Sequence, residues 1–230
     1  MMGKTHKIGG AIVGFVIINA LAIVSLVDIN FIFVVIPFIL ANIIGAFICD
    51  IDSIKSTVSR KLLIIAVPIF LLQKILNFIL RKSKSTFAKN IRKTVNHRGF
   101  AHWPILYITG IVIIFIVSLI TKRYEVNNVD IESMSSLTLY VYNVLRSIIL
   151  AFLYGICTGA LSHILLDSFN PTGVPLFAPF SFKRKSFMNI QTGLDSKAEI
   201  KFRRFLKFIL TLLIILFFAI ILYKLGLLTN

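Results

Sequence analysis

Residues 8–49 read IGGAIVGFVIINALAIVSLVDINFIFVVIPFILANIIGAFIC, two long apolar runs separated by a short polar break. The first run extends from Ile8 to Val27 and the second from Phe31 to Cys49, with Asp28-Ile29-Asn30 between them. About 20 apolar residues in helical conformation cross a hydrocarbon layer of about 30 Å. This stretch therefore predicts a hairpin of two membrane-spanning helices.

Three further apolar runs of similar length follow the hairpin, at Pro104–Ile120, Val144–Leu166 and Phe205–Leu222. The chain has 230 residues, is 57% hydrophobic and has a mean hydropathy of +0.92. Soluble domains contain roughly 45–50% apolar residues, so this composition indicates a lipid environment. We expect an all-α, integral membrane bundle of about five transmembrane helices, forming one membrane-embedded domain over residues 1–230.

The run Lys61–Leu80 is apolar but carries polar residues, among them Lys74, and continues into a basic tract that ends at Arg98. Lys and Arg concentrate on the cytoplasmic side of membrane proteins. If this run lies in the interface or re-enters the membrane, 21 of the 25 Lys and Arg residues share the cytoplasmic side. We therefore expect one interfacial or re-entrant helix and basic cytoplasmic segments over residues 50–103 and 167–204.

All four histidines fall at one membrane face in this topology, together with three carboxylates near the ends of predicted spans. Taken singly, each histidine is more often a hydrogen-bonded interface residue than a ligand. Seven nitrogen and oxygen donors at one depth instead predict a metal site that faces the cytoplasm. The seven candidate ligands are His6, Asp50, Asp52, His97, His102, His163 and Asp167.

Residue spacing supports the site, because His163 and Asp167 are four residues apart and share one helix face. Glycines continue that face, and a similar glycine series follows His6. Small residues at this spacing let helices approach closely in lipid. If the two faces meet, His6 and His163 come together; the alternative is two ordinary packing motifs. The glycines are Gly155 and Gly159 in one series and Gly10 and Gly14 in the other.

The ligand set contains no thiolate, which suits zinc and also permits manganese or iron. Seven donors could serve one or two ions. A spare carboxylate, Asp50 or Asp52, could act as a general base. Arg98 and the basic run Lys183-Arg184-Lys185 could hold a phosphate, although contact with an anionic lipid surface explains these cations equally well.

Four short motifs occur in order along the chain, followed by the tail Asn170-Pro171-Thr172-Gly173-Val174-Pro175-Leu176-Phe177. The motifs are Thr5-His6-x-x-x-Gly10, Asp50-Ile-Asp52, His97-Arg98-Gly99-x-x-His102 and Gly159-Ala-x-Ser162-His163-x-x-x-Asp167. Over about Met1–Phe182 the set resembles the YdjM family of inner-membrane, metal-dependent hydrolases. That family is distantly similar to the zinc-dependent phospholipase C and single-strand nuclease group.

The resemblance implies metal ligands at His6, at Asp50 or Asp52, at His97 and at the His163/Asp167 pair, with His102 a ligand or an orienting residue. The chain departs from the family pattern at three positions. Ala101 and Trp103 stand where the family has hydroxyl residues, and Cys49 stands where it commonly has proline.

The leading functional hypothesis is a metal-dependent hydrolase that cleaves a lipid phosphoester, as a phospholipase C or a lipid phosphatase does. Its candidate catalytic residues are Asp50, Asp52, His102 and Arg98. A nuclease or nucleotide hydrolase is the alternative enzyme, although nucleic acid is an unexpected partner because aromatic stacking platforms are lacking. A third hypothesis is a non-enzymatic metal-binding or regulatory membrane protein with a protein partner. Transport is disfavoured because the spans carry almost no ionisable residues.

Overall fold

The structure is a computed structural model that describes residues 3–24, 29–53, 56, 59–60, 63–83, 85–95, 99–128, 135–191 and 196–227. In chain order its helices are α1 (Gly3–Val24), α2 (Ile29–Ile48), α3 (Leu63–Leu80), α4 (Thr86–Val95), α5 (Pro104–Asn128), α6 (Ser136–Asp167) and α7 (Lys197–Lys224). Short 3₁₀ turns occur at Cys49–Asp52 and Phe100–His102. Within these ranges five helices, α1, α2, α5, α6 and α7, are long and apolar enough to cross a membrane. The predicted helical membrane bundle is confirmed.

Two helices start eight residues before the predicted apolar runs, because their starts are set by capping residues and not by hydropathy. Helix α6 starts eight residues before the predicted Val144, where the Ser135 hydroxyl accepts a hydrogen bond from the Thr138 N–H. Helix α7 starts at Lys197 and not at the predicted Phe205. The hydroxyl of Ser196, the residue before this start, accepts a hydrogen bond from the Glu199 N–H in the same way. A side-chain oxygen at this position satisfies one of the free N–H groups of a helix start.

Helices α2 and α6 form the central pair of the bundle. Helix α1 packs against both, α7 packs against α1, and α5 packs against α6. The outer helices α5 and α7 leave most of their apolar side chains exposed, Ile113 and Phe218 among them. Apolar exposure on this scale is expected of surfaces that contact lipid and not water.

Glycines bring α1 and α6 into close contact with α2. A Cβ atom at Gly10 would lie 2.6 Å from the Asn42 carbonyl oxygen, and one at Gly159 would meet the same oxygen from the other side. Asn42 itself is buried, and its amide oxygen accepts a hydrogen bond of 3.0 Å from the Thr158 hydroxyl. Both glycine faces therefore pack against α2, and not directly against each other as the sequence had suggested.

Helix α3 is not one of the five spans and packs mainly against α4 and the turn Cys49–Asp52. The turns Cys49–Asp52 and Phe100–His102 contact each other, so the chain between them leaves and returns at one end of the bundle. The five spans and α3 agree with the expectation of five spans and one additional helix, whereas the short basic helix α4 was not predicted.

Candidate metal centre

Five of the seven predicted donors lie together at one end of the bundle. His6 comes from the first turn of α1, Asp50 from the turn after α2 and His102 from the turn before α5. His163 and Asp167 lie in the last two turns of α6. The three imidazoles and the Asp167 carboxylate are buried, whereas the Asp50 side chain is 20% exposed. Burial of this much polar surface costs free energy unless a partner compensates it.

Asp167 is the centre of the cluster. Its Oδ1 lies 3.2 Å from His6 Nε2, and its Oδ2 lies 3.7 Å from His102 Nε2 and 3.8 Å from His163 Nε2. Asp50 Oδ1 lies 3.6 Å from His163 Nε2. The His6 and His163 rings stack with centroids 3.7 Å apart. His6 and His163 are thus brought together as expected, although the glycine series on both helices pack against α2.

The orientation of His163 is set by its backbone partner. Its Nδ1 lies 2.7 Å from the Ala46 carbonyl oxygen. A carbonyl can only accept, so Nδ1 carries the proton and Nε2 presents its lone pair to the cluster. A second hydrogen bond of this kind commonly fixes the tautomer and the ring position of a metal-binding histidine.

The donor atoms fit a divalent cation. Two groups, His6/Asp50/His163 and His102/His163/Asp167, each place three ligand atoms within 4.8 Å of one another. Three protein ligands of nitrogen and oxygen type are usual for catalytic zinc and also suit manganese or iron. Within the described part of the chain, His6 Nδ1 and His163 Nε2 are buried and make no hydrogen bond. These groups can therefore hold a metal ion.

The two groups are parts of one centre because they share His163. Only Nε2 of that ring faces the cluster, and one imidazole nitrogen binds one ion. His6, Asp50, His102 and Asp167 surround this shared atom from different helices and turns. A first ion would thus bind at His163 Nε2.

Several predicted site residues are not placed in this cluster. His97, Arg98 and the Asp52 side chain lie outside the described residues, so their roles stay predictions. Lys183, Arg184 and Lys185 are exposed in the segment that follows α6.

Sequence reasoning missed Glu199, which is fully buried near the start of α7. Its Oε1 accepts a hydrogen bond of 2.8 Å from the hydroxyl of Thr5, the residue before His6. The pattern Ser196-Lys-Ala-Glu199 is typical of a helix capping box, and a capping box by itself predicts a role for the glutamate only at the start of its own helix. Its position as an acidic residue within a basic segment was the available signal.

Tyr107 is a second residue that sequence reasoning missed. Its hydroxyl donates a hydrogen bond of 2.9 Å to the Ala101 carbonyl oxygen and lies 3.4 Å from Cys49 Sγ. Ala101 directly precedes His102, and Cys49 directly precedes Asp50. The tyrosine therefore links the two turns that carry these donors.

The model of the YdjM inner membrane protein family matches residues 1–227, which is nearly the whole chain. No curated protein and no solved structure matches this chain.

Proposed function

This chain belongs to the YdjM family of inner membrane proteins, and we propose that it is a metal-dependent hydrolase that cleaves a lipid phosphoester. The observation that carries the proposal is the cluster of three buried histidines around Asp167, with Asp50 at its accessible edge. The cluster lies at one end of the apolar helices, where lipid phosphates would meet it at headgroup depth. The concentration of basic residues near this end favours the cytoplasmic face.

A divalent ion would supply a Lewis acid that activates water and stabilises negative charge on a phosphoryl group. The protein residues would have separate tasks. Asp167 holds the three imidazoles around one point, and the Ala46 carbonyl keeps His163 Nε2 turned inward. Asp50 is the cluster carboxylate that water reaches, so it is placed either to ligate or to accept a proton from water.

Turnover of lipid by the metal-loaded protein is the direct test. Protein reconstituted with zinc or manganese in mixed phospholipid vesicles should hydrolyse a lipid phosphoester. Mass spectrometry detects the products of this cleavage. Asp167→Ala should release none, because it removes the carboxylate common to all three imidazoles. Leu165→Ala is the matched control, since its exposed side chain lies on the same helical turn.

Different failures of this test have different meanings. Wild-type protein that binds metal and releases nothing from any phospholipid would contradict the lipid hydrolase and favour a metal-binding regulator. Cleavage of single-stranded nucleic acid under the same conditions would favour the nuclease alternative.

Asp50→Asn separates the two roles of this residue. We expect turnover to fall by about 100-fold or more while bound metal is retained, because the amide can occupy the position but cannot accept the proton. Metal content and rate are measured on the same preparation. If both fall together, Asp50 is a ligand and the general base is another group.

Thr5→Val tests whether Glu199 positions His6. The variant keeps the shape of the side chain but removes the hydroxyl that binds Glu199. Losses of metal affinity of about 10–100-fold are typical when a residue behind a ligand is removed. Competition against a chelating dye measures the affinity, with Thr5→Ser as the variant that keeps the hydroxyl. Wild-type affinity in Thr5→Val would limit the contact to helix packing.

A further inference from the structure

The segment after α6 forms a closed hairpin. Val174 and Lys185 exchange two backbone hydrogen bonds, with N···O distances of 3.1 and 2.9 Å, which define hairpin 174–185. Gly173 precedes it with φ of +59°, and a Cβ atom there would lie 2.5 Å from the Lys185 carbonyl oxygen. The Phe187 N–H donates to the Ser168 carbonyl oxygen at 2.7 Å, which holds the base of the hairpin to the end of α6.

The start of hairpin 174–185 packs against the helix ends that carry the metal centre. Val174 is fully buried in an apolar cluster with Tyr107 of α5 and with Ala160 and Ile164 of α6, and Leu176 packs against this cluster. Cys49, which directly precedes Asp50, belongs to the same cluster, and its Sγ lies 3.7 Å from the Ala160 carbonyl oxygen. The hairpin therefore begins at the end of the spans where the metal centre lies, which is the level proposed for the lipid headgroups.

The outer side of the hairpin is aromatic and basic. Phe177 is 56% exposed and Phe180 is 85% exposed. The exposed cations Lys183, Arg184 and Lys185 follow, and residues 168–191 contain no acidic side chain. Lys185 Nζ lies 4.8 Å from the centre of the Phe177 ring, so the basic and aromatic parts are adjacent. Aromatic rings beside cations are typical of surfaces at the boundary between acyl chains and anionic headgroups.

We propose that hairpin 174–185 is a lipid-binding element that inserts its aromatic tip into the membrane surface beside the metal centre. Phe177 and Phe180 lie at the acyl-chain boundary of the adjoining leaflet, and the three cations bind lipid phosphates. Trp103, the neighbour of His102, contacts Phe182 with ring centres 5.9 Å apart, so the hairpin forms the lipid-side wall of the centre. This assignment does not depend on hydrolase activity.

A single-tryptophan experiment tests the depth of the hairpin tip. Trp103 is the one tryptophan of the chain, so Trp103→Phe provides a background without tryptophan fluorescence. In this background we compare the tryptophan fluorescence of two variants in vesicles. Phe180→Trp reports on the hairpin tip, and the control Asn189→Trp reports on an exposed position beyond the hairpin. We expect acyl-brominated lipids to quench position 180 strongly and iodide to quench position 189. Iodide quenching of position 180 equal to that of 189, without quenching by brominated lipid, would overturn the proposal.

Cysteine labelling provides a second measurement that keeps Trp103 in place. Phe180→Cys and Asn189→Cys are treated with a water-soluble maleimide in open membrane fragments, with wild-type protein as the blank for Cys49 and Cys157. We expect Asn189→Cys to react at once and Phe180→Cys to react only after detergent is added. Equal labelling of both before detergent would place the tip in water and refute the proposal.

Discussion

Purified His163→Ala protein should contain no bound divalent metal, whereas the wild-type protein should hold about one equivalent or more of zinc or manganese. The physical reason is that both candidate ligand groups include His163. Its Nε2 is the shared donor, and its Nδ1 is held by the Ala46 carbonyl at 2.7 Å. One substitution therefore removes a ligand from each group. Metal analysis of detergent-purified protein measures the effect.

Two further variants are measured for metal content in the same experiment, His102→Ala as a partial loss and Leu165→Ala as a control. His102 belongs to one ligand group only, so its removal should leave part of the wild-type metal content. Leu165→Ala should bind metal as the wild-type protein does, because its side chain is exposed on the lipid-facing side of α6. Wild-type metal content in His163→Ala would mean that the buried histidines pack the helix ends and do not form a metal centre.

Gly159→Ala should destabilise the bundle by about 3 kcal/mol, the upper part of the usual range for an added core methylene. A Cβ atom at this position would collide with the Asn42 carbonyl oxygen of α2. That atom belongs to backbone and cannot rotate away, so α2 and α6 must separate. Because Asp50 follows α2 and His163 lies on α6, the separation should also weaken metal binding. Thermal unfolding in detergent measures the loss of stability.

Gly110→Ala is the matched control for this prediction. Gly110 is also a helical glycine of a spanning segment, but a Cβ there would meet only Cys157 Sγ, at 3.2 Å. A side chain can shift by a few tenths of an ångström, and alanine favours the helix over glycine by about 1 kcal/mol, so little net change is expected. Equal stability of the Gly159 and Gly110 variants would contradict the close approach of α6 to α2.

Much of the fold could be predicted from local sequence. The five spans follow from runs of apolar residues, and charge placement excluded Lys61–Leu80 from them. Prediction failed at the helix starts, because Ser135 and Ser196 begin helices in polar sequence that hydropathy does not report. Capping depends on one hydrogen bond at one residue, whereas a span depends on about 20 residues together.

The candidate site could be predicted in part. The predicted depth of the histidines and the spacing of His163 and Asp167 pointed to His6, His102, His163 and Asp167, which the structure brings together; their ligand roles stay predictions. Glu199 and Tyr107 were missed because their importance comes from neighbours far along the chain. Glu199 binds Thr5 across 194 residues, and Tyr107 lies 58 residues from Cys49.

The sequence by itself determined that the chain crosses the membrane as a helical bundle, and it predicted one membrane face for the histidines. Both conclusions follow from the free energy of transferring apolar and charged groups between water and lipid. That free energy depends on the composition of each segment and not on its partners. Only the tertiary structure decided that the glycine faces of α1 and α6 both pack against α2. Small residues show that some helix approaches closely, but the partner is selected by packing of all the helices together. That packing stacks His6 on His163 around Asp167 and buries Val174, the start of hairpin 174–185, against α5 and α6.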